Sequence, residues 1–515
     1  MASPIRRRAV IAAAVAILLS LSAPARSALR VVPDQYATIQ AAFAAASAGD
    51  SIMVRAGIYV EALALAGKDV TLFGESGSEA TSITTNSAGR VLTIGAGVTS
   101  QMVLSDLTIR NGLANDGAGI FLTGSASPVL RRCRLIENWA YRDEGSTWGG
   151  AIRVETGSTL LIEDCVFEWN RADYVCCLVP GQGYGGAVSA ASGSAIRVLR
   201  SVFTDNIAMG FEGGFGGAIS IEPGASASIE DCSFRGNLGY GGGVGSNGDL
   251  TIERCVFAEH VGYSGAAVLA AGGHTIIRAS LFFDNFNWGE ASVVYIIYPD
   301  VPGEFSGNTI AFNSGNGLWV LGDVVRNNII AANQGSGLGG YSQPPGGISC
   351  NDIWGNTPNY EGADLTGTYG NISLDPLFCD AAARDLRLRS DSPCAPGAGD
   401  CGLIGALDVG CTAAVATENP PIAAPRLLAV QPNPLLLPPA RIAFELPAPA
   451  RVRLVIHDAM GRLTARLADQ AFAAGRHEIL WPINGPDGRS FGAGVYFVTF
   501  EAGAVRQTQR LILIR

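Results

Sequence analysis

The residues of this 515-residue chain that could do chemistry are few. There are four histidines (His260, His274, His457, His477) and a single lysine, Lys68, so Schiff-base and general-base routes have few positions to use. His274, in "GGHTIIR" with Arg278 nearby, is the one histidine placed for catalysis, and no aspartate pair accompanies it in sequence. Two carboxylates ~5–9 Å apart could cleave a glycosidic bond, and Asp143, Glu144, Glu155 and Asp173 are the best such set. No phosphate loop, Ser-His-Asp order or metal-ligand spacing stands out. No catalytic residue, metal or cofactor is therefore assigned. The densest functional chemistry is aromatic. Three inserts, "WAYRDEGSTW" (Trp139–Trp148), "RADYVCCLVPGQGY" (Arg171–Tyr184) and "IAMGFEGGF" (Ile207–Phe215), bring Trp139, Tyr141, Trp148, Tyr174, Tyr184 and Phe215 beside Asp143, Glu144 and Asp173. That mixture suits flat sugar rings, which take apolar stacking on one side and hydrogen bonds at the rim. The same inserts also fit a packed skirt pinned by Cys176 or Cys177.

The elements that must position these residues are repeats. "CVFEWN" (Cys165–Asn170), "SVFTDN" (Ser201–Asn206), "CSFRGN" (Cys232–Asn237) and "SLFFDN" (Ser280–Asn285) recur, with looser copies starting at Asp106, Cys133, Cys255, Asn308, Asn328 and Asn351. Asn stands five residues after every start except Cys255, where His260 replaces it. A Gly-Gly element precedes many of them: "GGAI" at Gly149 and Gly216, "GGAV" at Gly185, "GGGV" at Gly241, with "GAAV" at Gly265. Such short β-rich repeats with Gly and Asn punctuation mark a solenoid, here a parallel β-helix of about ten coils.

Stacking coils lie ~4.8 Å apart. The Cys/Ser start and the Phe two residues on share a strand face and point inward, which predicts stacks of Phe167, Phe203 and Phe234 and of Asn170, Asn206 and Asn237. The Asn is expected to take the left-handed turn conformation. Arg132, Asp164, Arg200, Asp231 and Arg254, one residue before successive starts, predict an outer column of alternating charge. Trp148, Tyr184 and Phe215 each precede a Gly-Gly, so they occupy one place in three successive coils.

Composition agrees: 48% apolar, 16% charged and 66 Gly exclude disorder. Net charge is −10, which leaves no nucleic-acid footprint. Arg6–Arg8, an apolar run Ala9–Leu21 and Ala23-Pro24-Ala25 read as a secretory signal over residues 1–25, and no later segment reads as a membrane span. The protein is thus expected to be secreted or held at the outer cell surface. Export makes disulfides available to the eleven cysteines. Cys133, Cys165, Cys232 and Cys255 are either small core residues or bridged as Cys133–Cys165 and Cys232–Cys255. Two bridges are expected among Cys379, Cys394, Cys401 and Cys411.

The β-helix is read over residues 26–411, opening with an amphipathic capping helix at Thr38–Ser47. "TIQAAF", "GDSI" and "GIYVE" resemble the start of right-handed β-helix proteins of the pectinesterase and pectate lyase type. The later pectinesterase motifs are missing, so this resemblance implies the fold and not the activity. The "GGAI" and Phe-x-x-Asn elements resemble the repeats of chlamydial polymorphic outer-membrane proteins, which implies a surface and adhesion role. "YGNISLDPLFCD" through "LRLRSDSPCAPGAG" resembles the closing segment of bacterial β-helix proteins and is expected to cover the C-terminal end of the solenoid.

After a Pro/Ala-rich linker at 412–425, residues 426–515 carry alternating strands such as "RVRLVIHD" and "GVYFVTFEA" split by turns. They predict a small immunoglobulin-like β-sandwich. "QPNP", "HDAMGR", "AAGRHEILW" and "GAGVYF" resemble the C-terminal sorting domain of the type IX secretion system and the related hook-capping domain. Pro482 departs from that pattern. The resemblance implies a partnership between residues 426–515 and secretion machinery. The chain is accordingly all-β, a right-handed parallel β-helix followed by a β-sandwich. Its favoured function is binding a polysaccharide or cell-surface ligand. The alternatives are a polysaccharide lyase or glycoside hydrolase on the same fold, and a structural spacer.

Overall fold

A computed structural model describes residues 27–142, 145–174, 181–210, 213–288, 291–322, 324–341, 347–412, 424–431, 440–458, 460–481, 492 and 494–513. The signal-like residues, Asp143, Glu144, Cys176, Cys177, Pro482 and most of the linker lie outside them, as does the side chain of Tyr174. The chain divides into two compact units, Met1–Ala413 and Ala414–Arg515.

The first unit is a parallel solenoid with three faces of thirteen, twelve and eleven strands. Face A runs from Leu29–Val32 to Ile348–Ser349, face B from Gly57–Val60 to Asp352–Trp354 and face C from Leu63–Leu65 to Leu338–Gly339. That is more coils than the ten copies counted in sequence, because the coils before Asp106 keep the strands without the repeat signature. Alternation turns one side of the strands into a single continuous apolar core. Phe167, Phe203, Phe234, Phe257 and Phe282 stack in it with ring centres 4.6–5.0 Å apart.

The corners use left-handed residues, but not the expected ones. Between faces A and B the positive φ falls on Asp106, Arg132, Asp164, Arg200, Asp231 and Arg254, and after face B on Asn111, Glu137, Trp169, Asp205 and Glu259. Each ladder Asn follows such a residue and is itself buried. Its Nδ2 donates to a carbonyl of the preceding coil and to the next Asn, as Asn206 does to Phe167 O (3.0 Å) and Asn237 Oδ1 (2.9 Å). The buried amide satisfies corner backbone groups that water cannot reach. The left-handed residue points outward, where a charge stays solvated. Strand pairing also moves the first copy by one residue: Thr108 is opposite Arg134, so Leu107, not Asp106, matches Cys133. Gly112 then takes the Asn place, donating to Asn138 Oδ1. Asp106 instead heads the outer column, where it pairs with Arg132, Asp164 with Arg200 and Asp231 with Arg254.

The N-terminal helix spans Ile39–Ala45 with Thr38 as its N-cap. The Glu61 carboxylate, last residue of "GIYVE", accepts from Ile39 and Gln40 N–H, satisfying first-turn donors. Lys68 donates to the Ala44 and Ala46 carbonyls at the other end. The single lysine is thus a cap residue.

At the far end, Tyr360 and Leu365 cover the core. The closing segment Phe378–Cys411 lies instead along the flank of face B, against outward-facing Ile329 and Ala331. Arg384 reaches Asp284, and Gly405 N–H binds Asn327 O. The expected C-terminal cover is therefore shorter than the cysteine-rich segment, which seals apolar residues on the side. The bridges are Cys379–Cys411 and Cys350–Cys401. Cys394 is a buried thiol 3.1 Å from Asp352 Oδ2, and Cys133, Cys165, Cys232 and Cys255 are free and buried. Cys350 supplies the partner expected from Cys394 because it sits at the last face A corner, Cα 5.5 Å from Cys401.

The second unit has two antiparallel sheets, of three and four strands. They enclose Phe444, Phe500, Trp481 and other apolar side chains. Among the described residues no helix is long and apolar enough to cross a membrane.

Candidate functional site

Between faces B and C, three successive coils extend outward as a fin. Trp139–Arg142, Arg171–Tyr174 and Ile207–Met209 form one side of it, in one parallel sheet. Thr147–Trp148 and Gly183–Tyr184 form the other, and Phe215 bridges onto Tyr184. The interior holds Ala140, Ala172 and Ala208. A Cβ on Gly183 would lie 1.8 Å from Ala172 O, so only glycine lets the two sides close. At the root of the fin the second glycine of each pair faces the next coil in the same way. A Cβ on Gly150 would meet Gly186 O at 2.1 Å.

Alternation then divides the sequence-predicted residues between two surfaces. Trp139 and Tyr141 lie on the outer side, edge to face at 5.2 Å. Arg171 sits over Trp139 and pairs with Asp173 at 2.6 Å. Asp173 is buried, and burial raises its carboxyl pKa against the pull of Arg171. Trp148, Tyr184 and Phe215 lie on the opposite side. The expected grouping of this aromatic column with Asp173 is therefore not what the fold makes, because one strand reversal separates them. Asp143 and Glu144 fall outside the described residues.

The column forms one wall of a cleft of about 440 Å³, whose floor is the outer surface of face C. Trp148 and Tyr184 are nearly parallel, 10° apart, with ring centres 5.7 Å apart. Both side chains are half-buried, and the rings follow one another along the column. Phe215 follows at 6.2 Å, tilted by 53°. Asp116 heads the column, accepting from Trp148 N–H at 3.1 Å and from Arg142 at 2.5 Å. Burial raises its carboxyl pKa despite Arg142.

The floor of the cleft comes from residues outside the aromatic inserts. Arg153, Ser189 and Ser220 are in register on successive strands, followed by Gly245. Arg153 is only 8% exposed. Its Nε donates to Glu155 (2.8 Å), and its Nη1 to Ser189 (2.8 Å) and Glu222 (2.6 Å). It also lies 5.5 Å from the Trp148 ring centre, within cation–π range. Ser220, 1% exposed, lines the cleft with its hydroxyl unpartnered. The signal was present in "GGAIRVE", "GGAVSAA" and "GGAISIE". The fifth and seventh residues of these strings are the floor and its far rim. Of the four carboxylates named from sequence, only Glu155 is described in the cleft; Asp116 and Glu222 join it.

His274 stands at the entry to Thr275–Arg278 on face A, away from face C, and Arg278 there pairs with Glu304. Among the described residues no group of three or more His, Cys, Asp or Glu is placed to hold a metal ion.

One chain winding three parallel faces, with inserts projecting from successive coils, defines a parallel β-helix. Residues 62–216 and 217–375, together more than half of the chain, match the family model for the right handed beta helix region. The protein belongs to that family. Comparison with curated proteins returns no match.

Proposed function

We propose that this is an exported or surface-held glycan-binding protein whose cleft holds a polysaccharide or cell-surface glycan without turning it over. The observation that carries this reading is the aromatic column Trp148–Tyr184–Phe215 facing Arg153 and the unpartnered Ser220 across one cleft. Half-buried aromatic side chains lining a cleft offer apolar surface to sugar C–H groups, and the floor offers hydrogen bonds to hydroxyls. Replacing Trp148 and Tyr184 by Ala should weaken glycan binding at least ~10-fold, the effect of losing about 1.4 kcal/mol, with the thermal transition retained. Wild-type binding by that double variant would assign the column to packing alone.

Export is part of the proposal. Residues 1–25 have signal-peptide character, and residues 426–515 resemble a type IX sorting domain with an apolar core of their own. A chain ending at Cys411 should fold but fail to reach the cell surface. Its normal surface delivery would refute the sorting role.

A second reading, glycoside hydrolysis or lysis, is favoured by one observation. The Asp116 carboxyl beside the column has its pKa raised by burial, the property of a proton-holding acid. Release of sugar products that stops in Asp116→Asn would establish it.

A further inference from the structure

The charged groups of the cleft are unbalanced. Asp116, Glu155 and Glu222 line it, against Arg153 alone. Arg142, just beyond the lining, balances Asp116. That leaves two carboxylates sharing one guanidinium. Arg153 has committed its Nε and Nη1 to Glu155, Glu222 and Ser189. Glu155 Oε2 has no donor among the described residues, and Glu222 Oε2 has only a long contact with Ser192 N–H at 3.3 Å. Ser220, almost wholly buried and with its hydroxyl unpartnered, lies in the floor of the same cleft. What the floor and rim still offer a ligand is therefore chiefly acceptors and negative charge. The wall adds ring faces, whose electron-rich centres attract cations. Trp148 already shows this preference, with Arg142 and Arg153 each 5.5 Å from its centre. A concave, partly desolvated site concentrates such a field.

From this geometry we infer that the cleft selects glycans bearing ammonium groups, that is, amino-sugar chains, over their uncharged counterparts, and rejects polyuronates. The inference rests on the glycan-binding reading and narrows its ligand class. An ammonium group between Glu155, Glu222 and Ser220 completes the unbalanced triad. A carboxylate in the same place meets two of its own sign.

The test is calorimetric titration of the whole protein at pH 6 and low salt with three hexasaccharides: glucosamine, its N-acetylated form and galacturonate. The glucosamine oligomer should bind at least ~10-fold tighter than the N-acetylated one, the preference should shrink as salt is raised, and the uronate should not bind. Glu155→Gln with Glu222→Gln should erase the preference. If that variant fails to fold, the salt dependence and ligand order of the wild-type protein still decide. Because the chain carries a net charge of −10, Trp148→Ala with Tyr184→Ala must also reduce glucosamine binding, or the attraction is non-specific and the inference falls. Equal binding of the charged and N-acetylated oligomers, or tighter binding of the uronate, would overturn the charge selection alone. Equally tight capture of an oligolysine peptide would show that the site recognises cations of any kind, overturning the selection for amino sugars. No binding of any oligosaccharide would overturn the glycan reading itself.

Discussion

His260 is the one residue that interrupts the buried asparagine ladder, and replacing it with Asn should stabilise the solenoid, more so in acid. In the present chain Asn237 N–H donates to His260 Nδ1 at 3.1 Å, and His260 N–H donates to Asn285 Oδ1 at 3.1 Å. The fully buried Nε2 has no partner. Elsewhere each Asn Oδ1 receives two donors from the Asn before it, as Asn206 receives Asn170 N–H and Nδ2. Asn at position 260 regains about one net hydrogen bond, worth about 1 kcal/mol at pH 7. The larger effect is protonation. Burial, helped by the charge of Arg235, lowers the imidazole pKa from its ordinary 6.5 to about 3. The unfolded chain therefore takes up a proton as pH falls below 6.5 while the folded chain stays neutral until about 3. Stability is complete above 6.5 and drains by about 1.4 kcal/mol per pH unit between the two values. At pH 5 the loss is about 2 kcal/mol, so His260→Asn should exceed the wild-type protein by about 1 kcal/mol at pH 7 and about 3 kcal/mol at pH 5. Urea unfolding at both pH values, with the substitution as the only variable, measures this directly. A stabilisation that does not grow between pH 7 and pH 5 would show that His260 titrates normally and that the ladder is open to water.

Phe203 is fully buried, with rings 4.6 and 4.7 Å away on either side, so Phe203→Ala should cost about 3–5 kcal/mol in the same assay. Arg254→Ala, which breaks an exposed pair in the outer column, should cost no more than ~1 kcal/mol. Equal effects would contradict the assignment of one column to the core and the other to solvent. Replacing Cys350 and Cys401 by Ser opens a bridge between residues 51 apart. It should cost about 2–4 kcal/mol, whereas Cys394→Ala should leave both bridges intact by thiol titration.

Much of this protein is legible in one dimension, because a solenoid writes its third dimension into its period. Phe167, Phe203 and Phe234 recur with the same neighbours because stacking gives every coil the same local environment. The helix at the start and the alternating strands at the end rest on equally local patterns. A register difference of one residue is not encoded in the repeat. Asp106 carries an Asn five residues on, as the true starts do, yet pairing places it one position earlier, on the outer corner. Two candidate Asn–corner alignments differ only in which side chains face inward, and the packing of neighbouring coils chooses between them. The position of the left-handed residue is hidden for a related reason. Asn tolerates that conformation, but here its amide is needed inside to satisfy corner carbonyls, so the strain moves to the outward residue before it. Cys350 and Cys401 are brought together by the closing segment folding onto the flank of face B, a long-range contact that cysteine spacing does not encode. The site divides in the same way. The sequence by itself aligned Trp148, Tyr184 and Phe215, since they share a place in the repeat. Only the tertiary structure turned the fin so that Asp173 leaves the column and Arg153, Glu155, Ser220 and Glu222 meet it, because that juxtaposition depends on two faces of the coil closing toward each other across space.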